Sequence, residues 1–192
     1  MRGQHVFKLT RTAILAAVAT ILFYIEVPVG VPFYKLDFST LPSILAGFAM
    51  GPLYGLATVA IKDLLHLLTS TSGGIGQLAD FLMSGSLVVV SSLIYQRHKT
   101  RARALIGLCV GTLVMAALGA LVNYYIMLPF YTAFMPMEEI IAAGTALIPA
   151  IDSQFKFVLL ITAPFNLFKG IVLSAATFLL YKRVSPLLHA KH

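Results

Sequence analysis

The sequence predicts an all-α integral membrane protein, a single domain over residues 1–192 built as a bundle of six transmembrane helices. Composition gives the first evidence: 59% of the 192 residues are hydrophobic, 11% are charged, and the mean hydropathy is +0.91. Soluble domains are about 45–50% apolar and about 25% charged. Because a bilayer core takes roughly 20 apolar residues per helix, a chain of this length has no room for a sizeable soluble domain.

Proline and glycine mark the ends of the first three predicted helices, which cover about residues 8–27, 41–50 and 53–68. Pro28 ends the first helix, because proline cannot continue a helix, and Gly51-Pro52 separates the second from the third. In the loop between the first two helices, bulky apolar and polar residues alternate over 34–39, as in a short strand or a lid. Ser39 or Thr40 could cap the second helix.

The last three predicted helices cover about residues 77–95, 104–128 and 153–181. A turn rich in serine, threonine and glycine precedes the fourth, and a basic segment over 96–103 separates it from the fifth. A mixed loop over 129–152 leads to the sixth, in which Pro164 predicts a kink and a widened turn before it.

The positions of the cations predict the orientation, because cytoplasmic loops of membrane proteins are rich in lysine and arginine. If the chain crosses the membrane six times, the N-terminal segment, the segment between the fourth and fifth helices and the C-terminal segment lie on the same side. These three segments carry most of the cations: Arg2, Lys8, Arg11, Arg97, Lys99, Arg101, Arg103, Lys182, Arg183 and Lys191. The acids Glu26, Asp37, Glu138, Glu139 and Asp152 fall on the other side. Both termini are therefore expected in the cytoplasm, and the net charge of +7 is explained by topology rather than by nucleic acid.

Polar residues inside the apolar runs are candidates for a binding site, because ionisable groups at membrane depth are costly. Lys169 follows Asn166 by three residues, so the two share one face of the sixth helix. Asn123 lies beside Tyr124 near the end of the fifth. An ammonium group and carboxamides suit a planar heterocycle with carbonyls and ring nitrogens. Polar contacts between helices are the alternative interpretation.

Several other polar residues near helix ends or inside the bundle are expected to stabilise the fold rather than to bind a ligand or a metal. Lys62 and Asp63 point about 100° apart on a helix and are expected to be a poor pair. Asp63 and His66 share a face, but a metal needs a further ligand and no metal site is expected. Gln77 and Asp80 are expected to satisfy free backbone N–H groups at the start of the fourth helix.

An enzyme is not expected, because no set of nucleophile, base and orienting group can be assembled from the sequence. The glycines at 73–76 lack the lysine of a nucleotide-binding loop, so any use of ATP must come from another chain. The single cysteine, Cys109, excludes an internal disulfide.

Segments across the whole chain resemble the substrate-binding S components of energy-coupling-factor (ECF) vitamin transporters, and among them the riboflavin-specific branch. They are Lys35-Leu36-Asp37-Phe38-Ser39, Leu41-Pro42, Gly51-Pro52 with Gly55, Lys62-Asp63-Leu64-Leu65, Asn123-Tyr124 and Pro164-Phe165-Asn166-Leu167-Phe168-Lys169-Gly170. Ala13 and Ala17 in the first helix resemble the docking motif of this family. Asp63 and Asp80 depart from the pattern, since asparagine is expected at both positions in many relatives.

The resemblance implies a bacterial cell-membrane protein that captures riboflavin at the outer face, without a cofactor of its own. It would dock through Ala13 and Ala17 on a membrane coupling (T) subunit, and two cytoplasmic ATPases would drive uptake. The implied ligand-binding residues are Tyr34, Leu36, Asp37, Phe38, Ala79, Asp80, Asn123, Asn166 and Lys169. The alternatives are an S component for thiamine or biotin and, less favoured, an intramembrane enzyme that uses His66 with Asp63 or Ser70.

Overall fold

The structure, a computed structural model, describes residues 2–70 and 72–188. Lys191, one of the cations used to predict the orientation, lies outside the described residues. The helices are α1 (Arg2–Phe23), α2 (Thr40–Met50), α3 (Pro52–His66), α4 (Ile75–Arg97), α5 (Arg101–Val122), α6 (Leu128–Tyr131), α7 (Met137–Leu147), α8 (Gln154–Phe157) and α9 (Ala163–Leu188). Two strands, β1 (Val27–Val29) and β2 (Val31–Leu36), form an antiparallel hairpin.

Two π-helical turns join neighbouring helices into continuous rods. Asn123–Met127 connects α5 to α6, and Val158–Thr162 connects α8 to α9. The second π turn lies immediately before Pro164, whose ring leaves a carbonyl of the preceding turn without its helical donor. This agrees with the widened turn that the sequence predicts there. The resulting rods cover Arg101–Tyr131 and Gln154–Leu188, and Gln154–Tyr181 is the candidate membrane span of the second.

The segment 129–152 is not the loop that the sequence predicts, because it contains α6 and α7. Pro136 precedes α7, and Glu138 and Glu139 lie in its first turn, where carboxylates interact favourably with the helix dipole. Its buried face packs through Ile140 and Gly144 against Ile151 and against Phe157, the last residue of α8. Counting each rod once, the described residues form seven helices rather than the six predicted.

Four of these helices are long and apolar enough to cross a membrane among the residues that the structure describes: 5–23 in α1, α4, and the two rods. Helices α2 and α3, with 11 and 15 residues, are shorter than a single span. They break at Gly51, whose φ of 111° favours glycine, as the Gly-Pro pair predicts.

Helix α4 is central and packs against α2, α3 and α5, while α5 packs against α9. The main apolar core lies between them and includes Ile44, Phe48, Leu87 and Leu108. Glycine permits a close approach of α4 and α5, since a Cβ at Gly107 would lie 2.7 Å from the Ser91 carbonyl oxygen. Small residues at such crossings let helix backbones pack directly on each other.

The substitution Gly107→Ala is expected to lower the melting temperature of the purified protein, because its Cβ meets backbone that cannot move alone. Overpacking of this kind costs about 1–3 kcal/mol. Gly85→Ala is the matched control: it gains the same helix propensity, and its nearest contact is the mobile end of Leu56 at 3.1 Å. Equal melting temperatures for the two variants would contradict the close α4–α5 contact.

Candidate ligand-binding site

A cavity of about 710 Å³ opens at the end of the bundle beside the hairpin. This volume lies within the roughly 300–1,000 Å³ of small-molecule sites. Asp37, Asn123 and Asn166 line it as buried side chains, whereas Tyr24 and Phe134, which also line it, are 56% and 71% exposed. The cavity is therefore a deep cleft with a polar, buried floor and an open rim.

Two stacked aromatic rings form one part of the wall. The rings of Tyr34, on β2, and Phe165, on α9, are 4.8 Å apart and 9° from parallel. The Tyr34 hydroxyl is hydrogen-bonded to Thr162 and donates to Asn123 Oδ1 at 3.4 Å. Burial raises the pKa of Tyr34 above its ordinary value, so the phenol stays protonated. This part of the wall provides a flat apolar surface with a fixed polar edge.

Two buried amides lie beside these rings and differ in their hydrogen bonding. Asn123 Nδ2 donates to the Gly119 carbonyl at 2.8 Å. Asn166 Nδ2 is buried without a hydrogen-bond partner, and a Cβ at Gly119 would lie only 2.5 Å from it. An unpaired buried donor costs about 1–3 kcal/mol. The Nδ2 atom therefore faces α5, while Asn166 as a residue also lines the cavity.

Charged side chains form a connected cluster at the floor. Lys169 Nζ lies 2.8 Å from Asp37 Oδ2 and 3.9 Å from Asp80 Oδ1. Lys62, which is fully buried, pairs with Asp80 and lies 3.1 Å from Asp63 Oδ1. Lys62 and Asp63 come closer than their 100° separation predicts, because the long lysine chain reaches round the helix, but Lys62 donates its hydrogen bond to Asp80 and the Asp63 carboxylate accepts none.

The sequence profile of one family, described as "ECF transporter, substrate-specific component", matches residues 7–181. The chain belongs to this family. It is therefore the substrate-specific (S) component of a transporter and a multi-pass membrane protein, not an enzyme.

Two curated relatives are about 30% identical over nearly the whole chain. The riboflavin transporter RibU of Staphylococcus aureus (strain TCH60) is 31% identical over 184 residues, which are 94% of this chain and 92% of the relative. The riboflavin transporter FmnP of Bacillus subtilis (strain 168) is 30% identical over 190 residues, covering 95% and 94%.

Two solved structures share the fold. The S component of a bacterial ECF transporter superposes with a TM-score of 0.74 at 32% identity, covering 97% of this chain and 99% of that one. ThiT from Listeria monocytogenes has a TM-score of 0.67 at 16% identity, covering 96% and 98%; this likeness concerns the fold alone.

In this S component, Asp37 ties the hairpin to the start of α2. Its Oδ1 accepts hydrogen bonds from the Ser39 backbone N–H at 2.9 Å and from the Ser39 hydroxyl. Ser39 is the N-cap residue of α2, one of the two positions predicted, but its side chain makes no capping hydrogen bond, and Thr40 bonds Ser84 instead. Burial alone would raise the pKa of Asp37, but the Lys169 ammonium holds it below its ordinary value.

Asp80 and Gln77 do not act as caps either. Helix α4 begins at Ile75, two residues earlier than predicted, after Gly74 with a φ of 95°. Asp80 therefore lies beyond the first turn and faces the charged cluster. Gln77 points to the α3 end, where its Nε2 is 3.0 Å from His66 Nδ1.

Most of the side chains predicted as ligand contacts line the same cavity: Tyr34, Asp37, Ala79, Asp80, Asn123, Asn166 and Lys169. Leu36 and Phe38 are not part of its lining among the described residues, and Phe38 is 39% exposed. Sequence reasoning missed another part of the wall, formed by Phe23 and Tyr24 at the end of α1 and by polar residues of the α3–α4 turn. The hydroxyl-rich composition of residues 69–72 was the available signal.

Proposed function

We propose that this S component binds riboflavin in the cavity and presents it for ATP-driven uptake. The observation that supports this proposal is that one cavity is lined both by the stacked Tyr34–Phe165 pair and by the buried amides of Asn123 and Asn166. Riboflavin has a flat ring system that is apolar at one end and bears carbonyls and ring nitrogens at the other. Aromatic stacking suits the ring, and Asn166 and Asn123 suit its polar edge.

The two curated relatives support this ligand, because both are named riboflavin transporters and align with nearly the whole chain. Lys169 is held by Asp37 and faces Asp80. Lys169 therefore fixes the charged side chains at the floor of the cavity, and it also faces the ligand. Leu36 and Phe38 then belong to the hairpin side of the site rather than to its lining.

Titration of the purified, ligand-stripped protein with riboflavin, thiamine and biotin tests the ligand. Riboflavin is expected to bind with quenching of its fluorescence, and protein isolated from cells is expected to be yellow. Binding of thiamine or biotin with no response to riboflavin would overturn the ligand assignment and leave the family assignment intact.

The substitution Asn166→Ala is expected to weaken riboflavin binding about tenfold or more, because the ligand loses a donor in a buried site. The measurement is fluorescence quenching on titration, with gel filtration to verify the fold. Ser174→Ala is the control: it truncates a polar side chain of the same helix that bonds Thr112 outside the cavity. Equal affinities of both variants and the unmodified protein would remove Asn166 from the site.

Six of the seven helices lie in the bilayer in this proposal: four cross it fully, the short helices α2 and α3 form a pair that turns back at Gly51, and α7 lies outside it. The cavity opens to the exterior, and both termini are cytoplasmic. Arg97 ends α4 and Arg101 begins α5, at the helix ends away from the cavity, which the cation rule assigns to the cytoplasm. The exposed acids Glu138 and Glu139 begin α7, beside the cavity.

Single-cysteine labelling in intact cells tests this orientation. In a Cys109→Ser background, a membrane-impermeant maleimide is expected to label Glu138→Cys and not Lys99→Cys. Labelling of Lys99→Cys alone would place the cavity on the cytoplasmic side. Both positions are exposed, so access to the reagent depends on the side of the membrane.

The coupling partners are a T subunit and two cytoplasmic ATPases, contacted through α1. Ala13 and Ala17 are exposed, whereas Thr12, Ala16 and Ala19 on the neighbouring face are buried. The two alanines leave a shallow strip on the outer surface of the bundle. Such strips allow close contact with another membrane helix.

A further inference from the structure

Two buried charged residues of α3 adjoin the floor of the cavity without lining it. They are Lys62 and Asp63, and neither belongs to the cavity lining among the described residues. Asp63 is 5% exposed, and neither of its carboxyl oxygens accepts a hydrogen bond. An ionised carboxylate without hydrogen bonds is costly in a buried place. The charge state of Asp63 therefore needs an explanation.

The charged cluster to which Asp63 belongs contains an unequal number of acids and bases. Two ammonium groups, those of Lys62 and Lys169, face the three carboxyl groups of Asp37, Asp63 and Asp80. If all of them were ionised, one negative charge would remain uncompensated in a buried place, which is strongly unfavourable. One of the three carboxyl groups is therefore expected to be neutral.

Hydrogen bonds identify the carboxyl group that is least able to stay ionised. Asp37 accepts three hydrogen bonds. Asp80 accepts one from Lys62 and another from the Ser84 hydroxyl, at 3.1 Å. Lys62 Nζ also lies 3.1 Å from Asp63 Oδ1, but it donates to Asp80 and leaves Asp63 without a hydrogen bond. Asp63 is therefore the neutral member.

A proton on Asp63 also explains its contact with Asp80. The side chains of the two residues contact each other directly through their carboxyl groups. Two carboxylates are both acceptors and repel each other, whereas a protonated carboxyl group donates one O–H. With the proton on Asp63, the contact becomes a hydrogen bond and the charges of the cluster balance. A metal cation is disfavoured in the same place, because the Lys62 ammonium would repel it.

The other elements packed around this carboxyl pair supply no further positive charge. Helix α1 faces the cluster with the uncharged ring of Phe23, while its cations lie at its other end. Helix α2 has no ionisable side chain, and α4 and α9 contribute Asp80 and Lys169, which the cluster already includes. His66, one turn further along α3, accepts from the Gln77 amide at Nδ1, as a neutral imidazole does.

We propose that Asp63 is a buried proton-binding site, whose carboxyl group carries a proton at neutral pH and donates it to Asp80. This proton balances the cluster beside the cavity without contacting the ligand, so the inference does not depend on which ligand binds. Aspartate in an unfolded chain is ionised above about pH 4. The folded protein therefore binds one more proton than the unfolded chain, and its stability falls as the pH rises above this value.

Infrared spectroscopy of the ligand-stripped protein, in a detergent without carbonyl groups, tests the proton directly. A protonated carboxyl group has a C=O stretching band that is separate from the amide bands and shifts in D2O, and a carboxylate lacks this band. The unmodified protein is expected to show the band at neutral pH, and Asp63→Asn is expected to lose it. Asp152→Asn is the matched control, because Asp152 is an exposed acid paired with Lys156, and it is expected to keep the band.

Absence of the band from the unmodified protein at neutral pH would overturn the proposal, and that measurement needs no variant. Persistence of the band in Asp63→Asn would place the proton on another group and would overturn it equally. Loss of the band in Asp63→Asn alone, with the band kept in Asp152→Asn, assigns the proton to Asp63.

Unfolding of the same three proteins between about pH 5 and pH 7 provides an independent readout, because one extra bound proton makes the unfolding equilibrium pH-dependent. Each pH unit is expected to favour unfolding about tenfold more in the unmodified protein than in Asp63→Asn, whose amide donates a hydrogen bond but does not ionise. The contribution of His66 cancels in this comparison. Asp152→Asn is expected to follow the unmodified protein. The same pH dependence in Asp63→Asn as in the unmodified protein would overturn the proton site.

Discussion

The variant Lys169→Met is expected to be markedly less stable than the unmodified protein and to lose high-affinity riboflavin binding. Lys169 is buried and pairs with Asp37 at 2.8 Å. Removing one partner of a buried ion pair leaves the other charge uncompensated, at a cost of about 3–5 kcal/mol. Here the unpaired carboxylate would lie at the junction of the hairpin with α2, beneath the ligand. Thermal unfolding in detergent and riboflavin titration measure the two effects.

Two further variants separate charge balance from ligand contact. Adding Asp37→Asn to Lys169→Met removes the uncompensated carboxylate, so the double variant is expected to regain much of the stability but not the affinity. Lys156→Met is the matched control, because it breaks the exposed pair with Asp152 and exposed pairs contribute little. Full stability and affinity of Lys169→Met would show that the Lys169–Asp37 pair has no role in the site.

The apolar helices could be predicted from the sequence because long hydrophobic runs and their Gly-Pro breaks are local features. The break at Gly51-Pro52, for example, gives the boundary between α2 and α3 to within a residue. Helix α7 was missed because it is short and begins with a proline and two glutamates, a composition typical of loops. Its stability comes from packing of Ile140 and Gly144 on the α8 region, which a single sequence does not reveal.

Only part of the candidate site could be predicted from the sequence, and the reason is energetic. Asn166 and Lys169 stand out because polar groups within apolar runs are costly and need a partner or a function. His66 and Gln77 lie near helix ends, where polar residues are common and give no such signal. The pairing of Lys169 with Asp37 joins residues 132 positions apart, so it depends on the tertiary fold.

Helix α1 has separate faces for the bundle and for a partner. Ala16 and Ala19 are 1% and 0% exposed and pack inside the bundle. Ala13 and Ala17 are exposed on an adjoining face. Lipid needs no small side chains, so two alanines one turn apart on this surface favour a protein partner over lipid. The same helix ends at Phe23 in the cavity wall, and the alanine strip lies about two to three turns before that end.

The variant Ala13→Trp is therefore expected to bind riboflavin normally and to reduce ATP-driven uptake about tenfold or more, because an indole fills the strip needed for close helix contact. Riboflavin titration of the purified variant and uptake by cells that express the coupling module measure the two effects. Val18→Trp is the matched control: Val18 is also exposed on α1 but points about 100–140° away from the two alanines. Normal uptake by Ala13→Trp would exclude this strip as the docking surface. Equal loss of uptake in both variants would contradict a docking surface confined to this strip, and retained riboflavin affinity verifies that each variant is folded.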